Sequence, residues 1–129
     1  MPARRTISEL LADARAGLSR LEPAAASMAQ REGATLIDTR CADDRRTTGV
    51  IPGSVHVPLS VLFWRLDPTS GHHNPSLADP TRQVVLLCTD GYSSSLAAAT
   101  LVGLGFTRAT DVIGGFRAWI AAGLPVEPA

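Results

Sequence analysis

Apolar side chains recur at helical intervals near the start of the chain, at Ile7, Leu10, Leu11, Ala14, Leu18 and Leu21. The stripe predicts an amphipathic helix across "TISELLADARAGLSRLEP" that Pro23 stops. Thr6 and Glu9 stand at capping-box spacing, each side chain able to bond the other's backbone N–H. A second short helix is expected over "AAASMAQREG", closed by Gly33. The period then changes. "ATLID" reads as a short apolar strand ending at Asp38, and "SVHV" as a strand following the turn "IPGS". "LSVLFWRL" reads as helix, and residues 67–82, rich in Pro, Gly and Asn, as a loop. "QVVLLC" is β-branched and continuously apolar, as a strand covered on both faces should be. A helix to about Leu104 follows, then a strand "ATDVI", a Gly-Gly turn and a last helix "FRAWIAAG" closed by Gly123 and Pro125. Phe63, Trp64, Phe116 and Trp119 fall on helical stretches and are expected in the core.

Strands alternating with helices imply an α/β fold in three layers, a parallel central sheet flanked by helices on both faces. Ligands of such sheets gather beyond the carboxyl ends of the strands. Asp38, Arg40 and Cys88 all fall at or just past such ends.

Composition narrows the chemistry. A chain of 129 residues is one domain's worth, and its formal net charge of zero offers no field to recruit nucleic acid or an anionic membrane. All twelve basic residues are Arg, which excludes a Schiff-base lysine and a phosphate-loop lysine. No stretch is apolar for long enough to span a bilayer. Arg4 and Arg5 precede no secretory apolar core, and Glu9 and Asp13 argue against a transit peptide. A cytoplasmic protein is expected, with Cys41 and Cys88, the two cysteines, as thiols rather than a disulfide framework.

The second of those cysteines stands where chemistry is easiest to build. "CTDGYSS" joins the apolar run to the helix that follows. A thiol of ordinary pKa is only a few per cent thiolate at neutral pH, and lowering it by about two units takes roughly 2.7 kcal/mol of preferential anion stabilisation. A strand–loop–helix junction can supply this, because the first amides of a helix lack partners and its N-terminus carries partial positive charge. Gly91 lets the backbone curl, and Ser93 and Ser94 are natural N-cap residues with spare hydroxyl donors. A loop so curled aims N–H groups at the sulfur, in the manner of an anion nest. The plain alternative is a buried, inert cysteine ending a strand.

The pattern Cys-x-x-Gly-x-Ser-Ser resembles the active-site loop of the single-domain rhodanese-like sulfurtransferases. "LIDTR", "GVIPGSVHVPL", "VVLLCTDGYSSSLAAATLVGLGF" and "VIGGFRAWIAAGLPV" are similar to that family in order and spacing, over roughly residues 22–126. Residues 1–22 stand apart as an N-terminal helical extension, with the rhodanese-like domain over 23–129. The resemblance implies that Cys88 is the nucleophile, that it becomes a persulfide, and that Thr89, Asp90, Gly91, Tyr92, Ser93 and Ser94 bind it. The donor would be thiosulfate, 3-mercaptopyruvate or a protein persulfide, and the acceptor cyanide or a thiol. No metal or organic cofactor is implied, nor any nucleic-acid or membrane partner. A monomer or homodimer is expected. The alternative is a non-catalytic rhodanese-like binding module, or a sulfur carrier acting with a partner protein.

The chain departs from the family in places. The phosphatase branch of the fold needs Arg six residues after its cysteine, and Ser94 stands there. Thiosulfate-efficient relatives carry basic residues in the loop, whereas this loop has Asp90 and none. A carboxylate about 6 Å from a dianion costs roughly 1 kcal/mol or somewhat more, near a tenfold handicap, unless Arg40, Arg45 or Arg46 offsets it. Val50 replaces a common His in "GVIPGS", although Pro52 and Gly53 preserve the turn. Asp38 and Arg40 match an Asp-x-Arg signature; they form a structural ion pair, or else Arg40 faces the pocket and orients an anionic donor. Cys41 is an incidental or a resolving thiol. His72 and His73 read as solvated loop, His56 as a core or rim residue, Arg117 as a solvated helix residue, and Tyr92 as pointing outward.

Overall fold

A computed structural model describes residues 3–129. In chain order its elements are α1 (Ile7–Ala16), α2 (Pro23–Arg31), β1 (Thr35–Asp38), α3 (Ala42–Thr48), β2 (Val55–His56), α4 (Leu62–Leu66), β3 (Val84–Leu87), α5 (Ser93–Gly103), β4 (Ala109–Asp111) and α6 (Gly115–Ala121). The four strands pair in parallel in the order β2-β1-β3-β4. Alternate residues of β3 supply both halves of the core. Val84 and Leu86 join Ile37, Leu62, Leu66, Ala97, Ala98 and Leu101 on the α4 and α5 side. Val85 and Leu87 join Leu36, Ala26, Phe116 and Trp119 on the α2 and α6 side. A strand between two such layers has no polar face, which explains its unbroken apolar run.

Two expectations need correction. The first helix carries the predicted capping box but stops at Ala16, because Gly17 caps it and returns its N–H to Ala14 and Arg15. Beyond that point the chain runs extended. Leu21 forms a parallel bridge to Val112, its N–H bonding the Asp111 carbonyl at 3.0 Å and its carbonyl accepting Ile113 N–H at 2.8 Å. The segment drawn as a helical extension is therefore stitched to the open edge of β4. The second correction is Trp64, which is 51% exposed while Phe116 and Trp119 are buried as expected. Helix α4 is only five residues long and turns one apolar edge, Leu62 and Leu66, inward.

The polar stretch after Arg40 forms α3, for which the sequence carries no apolar stripe. Asp43 and Asp44 in its first turn and Arg45 and Arg46 in its last complement the helix dipole. Among the described residues no helix is long and apolar enough to cross a membrane.

Candidate active site

Beyond the carboxyl end of β3 the chain turns sharply at Gly91, whose φ of +84° suits glycine. A Cβ there would stand 2.8 Å from the Gly114 nitrogen. The next layer is fitted as tightly. A Cβ on Gly115 would fall 2.4 Å from the Cys88 carbonyl oxygen, so the paired glycines let α6 abut the cysteine loop. Phe116 N–H then bonds the Cys88 carbonyl at 2.8 Å, and Arg117 N–H bonds that of Thr89 at 3.1 Å. The loop is held between the starts of α5 and α6.

Within that turn the Gly91 N–H points at Cys88 Sγ from 3.1 Å, and the thiol lies 3.2 Å from Ser94 Oγ. Burial pushes the Cys88 thiol up, but the Ser94 and Ser93 hydroxyls and the Ser94 and Gly91 N–H groups outweigh it and hold the pKa below the ordinary thiol range. Cys88 is only 7% exposed, yet it lines a pocket of about 260 Å³ with Thr39, Arg40, Thr89, Asp90, Tyr92 and Ser93. None of these lining residues has a purely aliphatic side chain. Such an arrangement can hold a sulfur anion and admit a small substrate to it.

The serines reach this result by another route than capping. Tyr92 is the N-cap of α5 and makes no side-chain cap bond, so Ser93 and Ser94 lie inside the first turn. The Ser94 hydroxyl points inward because a buried carboxylate waits there, and it donates to Asp111 Oδ2 at 2.7 Å. Ser95 donates to the same oxygen at 2.8 Å. Asp111 escaped the sequence reading; the signal was an acid inside the otherwise apolar strand "ATDVI". Tyr92 is 62% exposed, as expected of an outward side chain.

Arg40 is engaged by the protein. It donates to both Asp38 oxygens, to the Thr48 hydroxyl at 2.8 Å and to the Gly49 carbonyl at 2.8 Å, with its side chain 2% exposed. Its guanidinium also stacks 3.7 Å from the centre of the Phe116 ring. Asp38 takes a further bond from Arg45 at 3.1 Å. Burial raises the Asp38 carboxyl, but the Arg40 side chain and N–H, the Arg40 charge and Arg45 outweigh it and hold it below the usual carboxylate range. Arg40 therefore braces the end of β1, and its backbone carbonyl takes the His56 imidazole at 2.8 Å. Arg46 pairs with Asp43 in the open.

The basic group that does meet Asp90 comes from α6. Arg117, read as a solvated helix residue, is 3.3 Å from the Asp90 carboxylate at the pocket rim. The Gly-Gly turn that brings α6 against the loop was the available signal. Cys41 is exposed at the start of α3 and outside the pocket lining, and His72 and His73 lie on the exposed loop.

Residues 22–122 match the family model of the rhodanese-like domain. The chain belongs to the rhodanese-like family of sulfurtransferases. Among curated relatives, the thiosulfate sulfurtransferase GlpE of Pseudomonas savastanoi pv. phaseolicola is 37% identical over 102 residues, covering 79% of this chain and 87% of its own. GlpE of Actinobacillus pleuropneumoniae is 34% identical, covering 78% of this chain and 83% of its own. Among solved structures, a protein of unknown function and possible tyrosine phosphatase from Rhodopseudomonas palustris is 30% identical at a TM-score of 0.88. That match covers 98% of this chain and 99% of the other, so it takes in the N-terminal segment as well as the rhodanese-like domain. The polysulfide-sulfur transferase homodimer of Wolinella succinogenes is 27% identical at a TM-score of 0.70, over 92% of this chain and 85% of its own.

Proposed function

We propose that Cys88 carries sulfur as a persulfide between a donor and a thiophilic acceptor. The observation that supports this is the Cys88 sulfur held by the Gly91 N–H and the Ser94 hydroxyl in an open pocket whose lining carries Thr, Ser, Asp and Arg side chains. The thiolate attacks the outer sulfur of the donor. A new S–S bond forms at Cys88, and the donor's own bond to that sulfur breaks, its electron pair leaving with sulfite from thiosulfate or with the pyruvate enolate from 3-mercaptopyruvate. Cyanide or a thiolate then attacks the outer persulfide sulfur, and Cys88 departs as the thiolate that began the cycle. Each half-reaction leaves a stable enzyme form, so the kinetics are ping-pong. The loop donors hold negative charge on sulfur as an oxyanion hole holds it on oxygen. Thr89, Asp90, Tyr92 and Ser93 form the pocket rim around the outer sulfur.

Asp90 shapes the choice of donor. Its pairing with Arg117 is exposed and screened, so it offsets only part of the repulsion felt by a dianion. A less charged donor such as 3-mercaptopyruvate, or a protein-borne persulfide that also contacts the outward Tyr92, suits the rim better than thiosulfate. The GlpE relatives bear the name of thiosulfate sulfurtransferases, which keeps thiosulfate among the donors. Free thiols at both cysteines suit the reducing cytoplasm.

Phosphoryl transfer is the second reading, prompted by the description of the Rhodopseudomonas palustris neighbour. It lacks the guanidinium fork that a phosphoryl dianion needs, since Ser94 holds that position and Arg40 is bound to Asp38, Thr48 and Gly49. Intact mass spectrometry after incubation with each donor tests the proposal. The expected result is a gain of one sulfur atom, faster with 3-mercaptopyruvate than with thiosulfate by about tenfold. No gain with either donor would leave a binding module.

A further inference from the structure

Two arginines from outside the matched domain reach beneath the cysteine loop. Arg15, at the end of α1, donates to the Gly91 carbonyl at 2.7 Å and to Ser95 Oγ at 3.1 Å. Arg20, on the extended segment, donates to the same carbonyl at 3.1 Å. It also grips both oxygens of the fully buried Asp111, at 2.8 and 3.2 Å. The strand-like stitching of Leu21 to β4 and the bond from the Thr110 hydroxyl to the Ser19 carbonyl hold that segment in place.

We propose that residues 15–20 are a working part of the sulfur site, in which Arg15 and Arg20 are positioning residues that fix the loop from behind and Arg20 neutralises the carboxylate standing one hydroxyl away from the nucleophile. The hydroxyl is that of Ser94, 3.2 Å from Cys88 Sγ and 2.7 Å from Asp111 Oδ2. It has a single proton to give. With a thiol at Cys88, S–H donates to Ser94 and Ser94 donates to Asp111. With a thiolate, the Ser94 proton is needed at sulfur, so Asp111 must release it. Arg20 and Ser95 remain bonded to Asp111 and make that release tolerable. Without Arg20, an unbalanced carboxylate keeps the Ser94 proton and repels the sulfur anion.

The other charged groups around the thiol are already matched. Arg40 is paired with Asp38 from the β1 side, which Arg45 also joins, and Asp90 is paired with Arg117 of α6. His56 of β2 bonds the Arg40 carbonyl, and α5 contributes no charged side chain. Among the described residues, Asp111 and Arg20 form the one ion pair in which a member also bonds Ser94, the thiol's own partner.

The inference rests on Cys88 being the reacting thiol. It is tested through ionisation rather than sulfur loading, so the two readings can fail separately. The full chain carrying Cys41→Ser, which leaves Cys88 as its only thiol, is alkylated with iodoacetamide across a pH series. Arg20→Gln is expected to raise the midpoint of Cys88 alkylation by about one pH unit. Asp111→Asn, which frees the Ser94 proton for sulfur, is expected to lower it. In the double variant the rise should vanish and the midpoint lie at or below the parent's, since a neutral side chain at 111 needs no counter-charge and leaves the Ser94 proton free for sulfur. A folded Arg20→Gln protein with an unmoved midpoint would overturn the proposal, as would a double variant raised as far as Arg20→Gln. If Arg20→Gln does not fold, Asp111→Asn decides alone: a lowered midpoint supports the proposal and a raised or unchanged one overturns it.

Discussion

Replacing Cys88 with Ser should abolish sulfur transfer, with kcat/KM for cyanide-dependent turnover falling by at least about a thousandfold. The substitution is almost isosteric, so the loop keeps its Gly91 turn and its contacts with α6. What disappears is the one thiol sulfur of the pocket, able to bond sulfane sulfur and release it again. A serine hydroxyl is far too weak an acid to ionise in the field that serves a thiol, and oxygen forms no persulfide equivalent. Steady-state assays with either donor would measure the loss, with circular dichroism showing that the variant is folded. A folded Cys88→Ser protein retaining more than a few per cent of wild-type turnover would remove Cys88 from the reaction.

The second large effect is on stability, through Asp38. Its carboxylate is fully buried and receives the Arg40 guanidinium, the Arg40 N–H and Arg45. Removing one partner of a buried pair leaves the other charge uncompensated, and Arg40 has almost no access to water. Asp38→Asn should therefore cost about 3–5 kcal/mol. For a domain of this size that lowers Tm by roughly 10–20 °C in a thermal melt. The same pair gives a pH signature. A carboxyl held below its ordinary value of 3.8 in the folded state stabilises fully above that value, and the contribution fades as pH falls through the lower, folded one. Wild-type stability should thus drop on acidification below about pH 4, and Asp38→Asn should show a shallower drop. A variant melting within a few degrees of wild type would mean that Arg40 finds another partner.

The parts of this account legible in the sequence were those fixed by short-range rules. β3 announced itself by an apolar run too continuous for a half-exposed strand. The cysteine loop announced itself by Gly91, which only a tight turn requires, and by serines where packing groups would otherwise stand. The parts that stayed hidden depend on what the fold brings together. Leu18 and Leu21 continue a helical period, yet Gly17 and the unpaired edge of β4 pull them into an extended segment. Helix α3 has no apolar stripe to betray it and forms from capping charges and threonine hydroxyls that bond back to Asp43 and Asp44. Trp64 sits at helical spacing, but its short helix has only one buried edge. The least readable group is Asp111 with Arg15 and Arg20, because their meeting spans most of the chain. Ser94 was rightly marked as a polar group near the sulfur, but its proton is shared with that distant carboxylate rather than used to cap a helix.

Everything chemical here depends on the loop stabilising the thiolate of Cys88 enough to hold its pKa below the ordinary thiol value. The direct measurement is ultraviolet thiolate absorbance against pH, taken as the difference between wild type and Cys88→Ala. The account predicts a midpoint clearly below the ordinary thiol value of about 8.5. A midpoint at or above that value would mean that burial outweighs the Gly91 and Ser94 donors, and would contradict it.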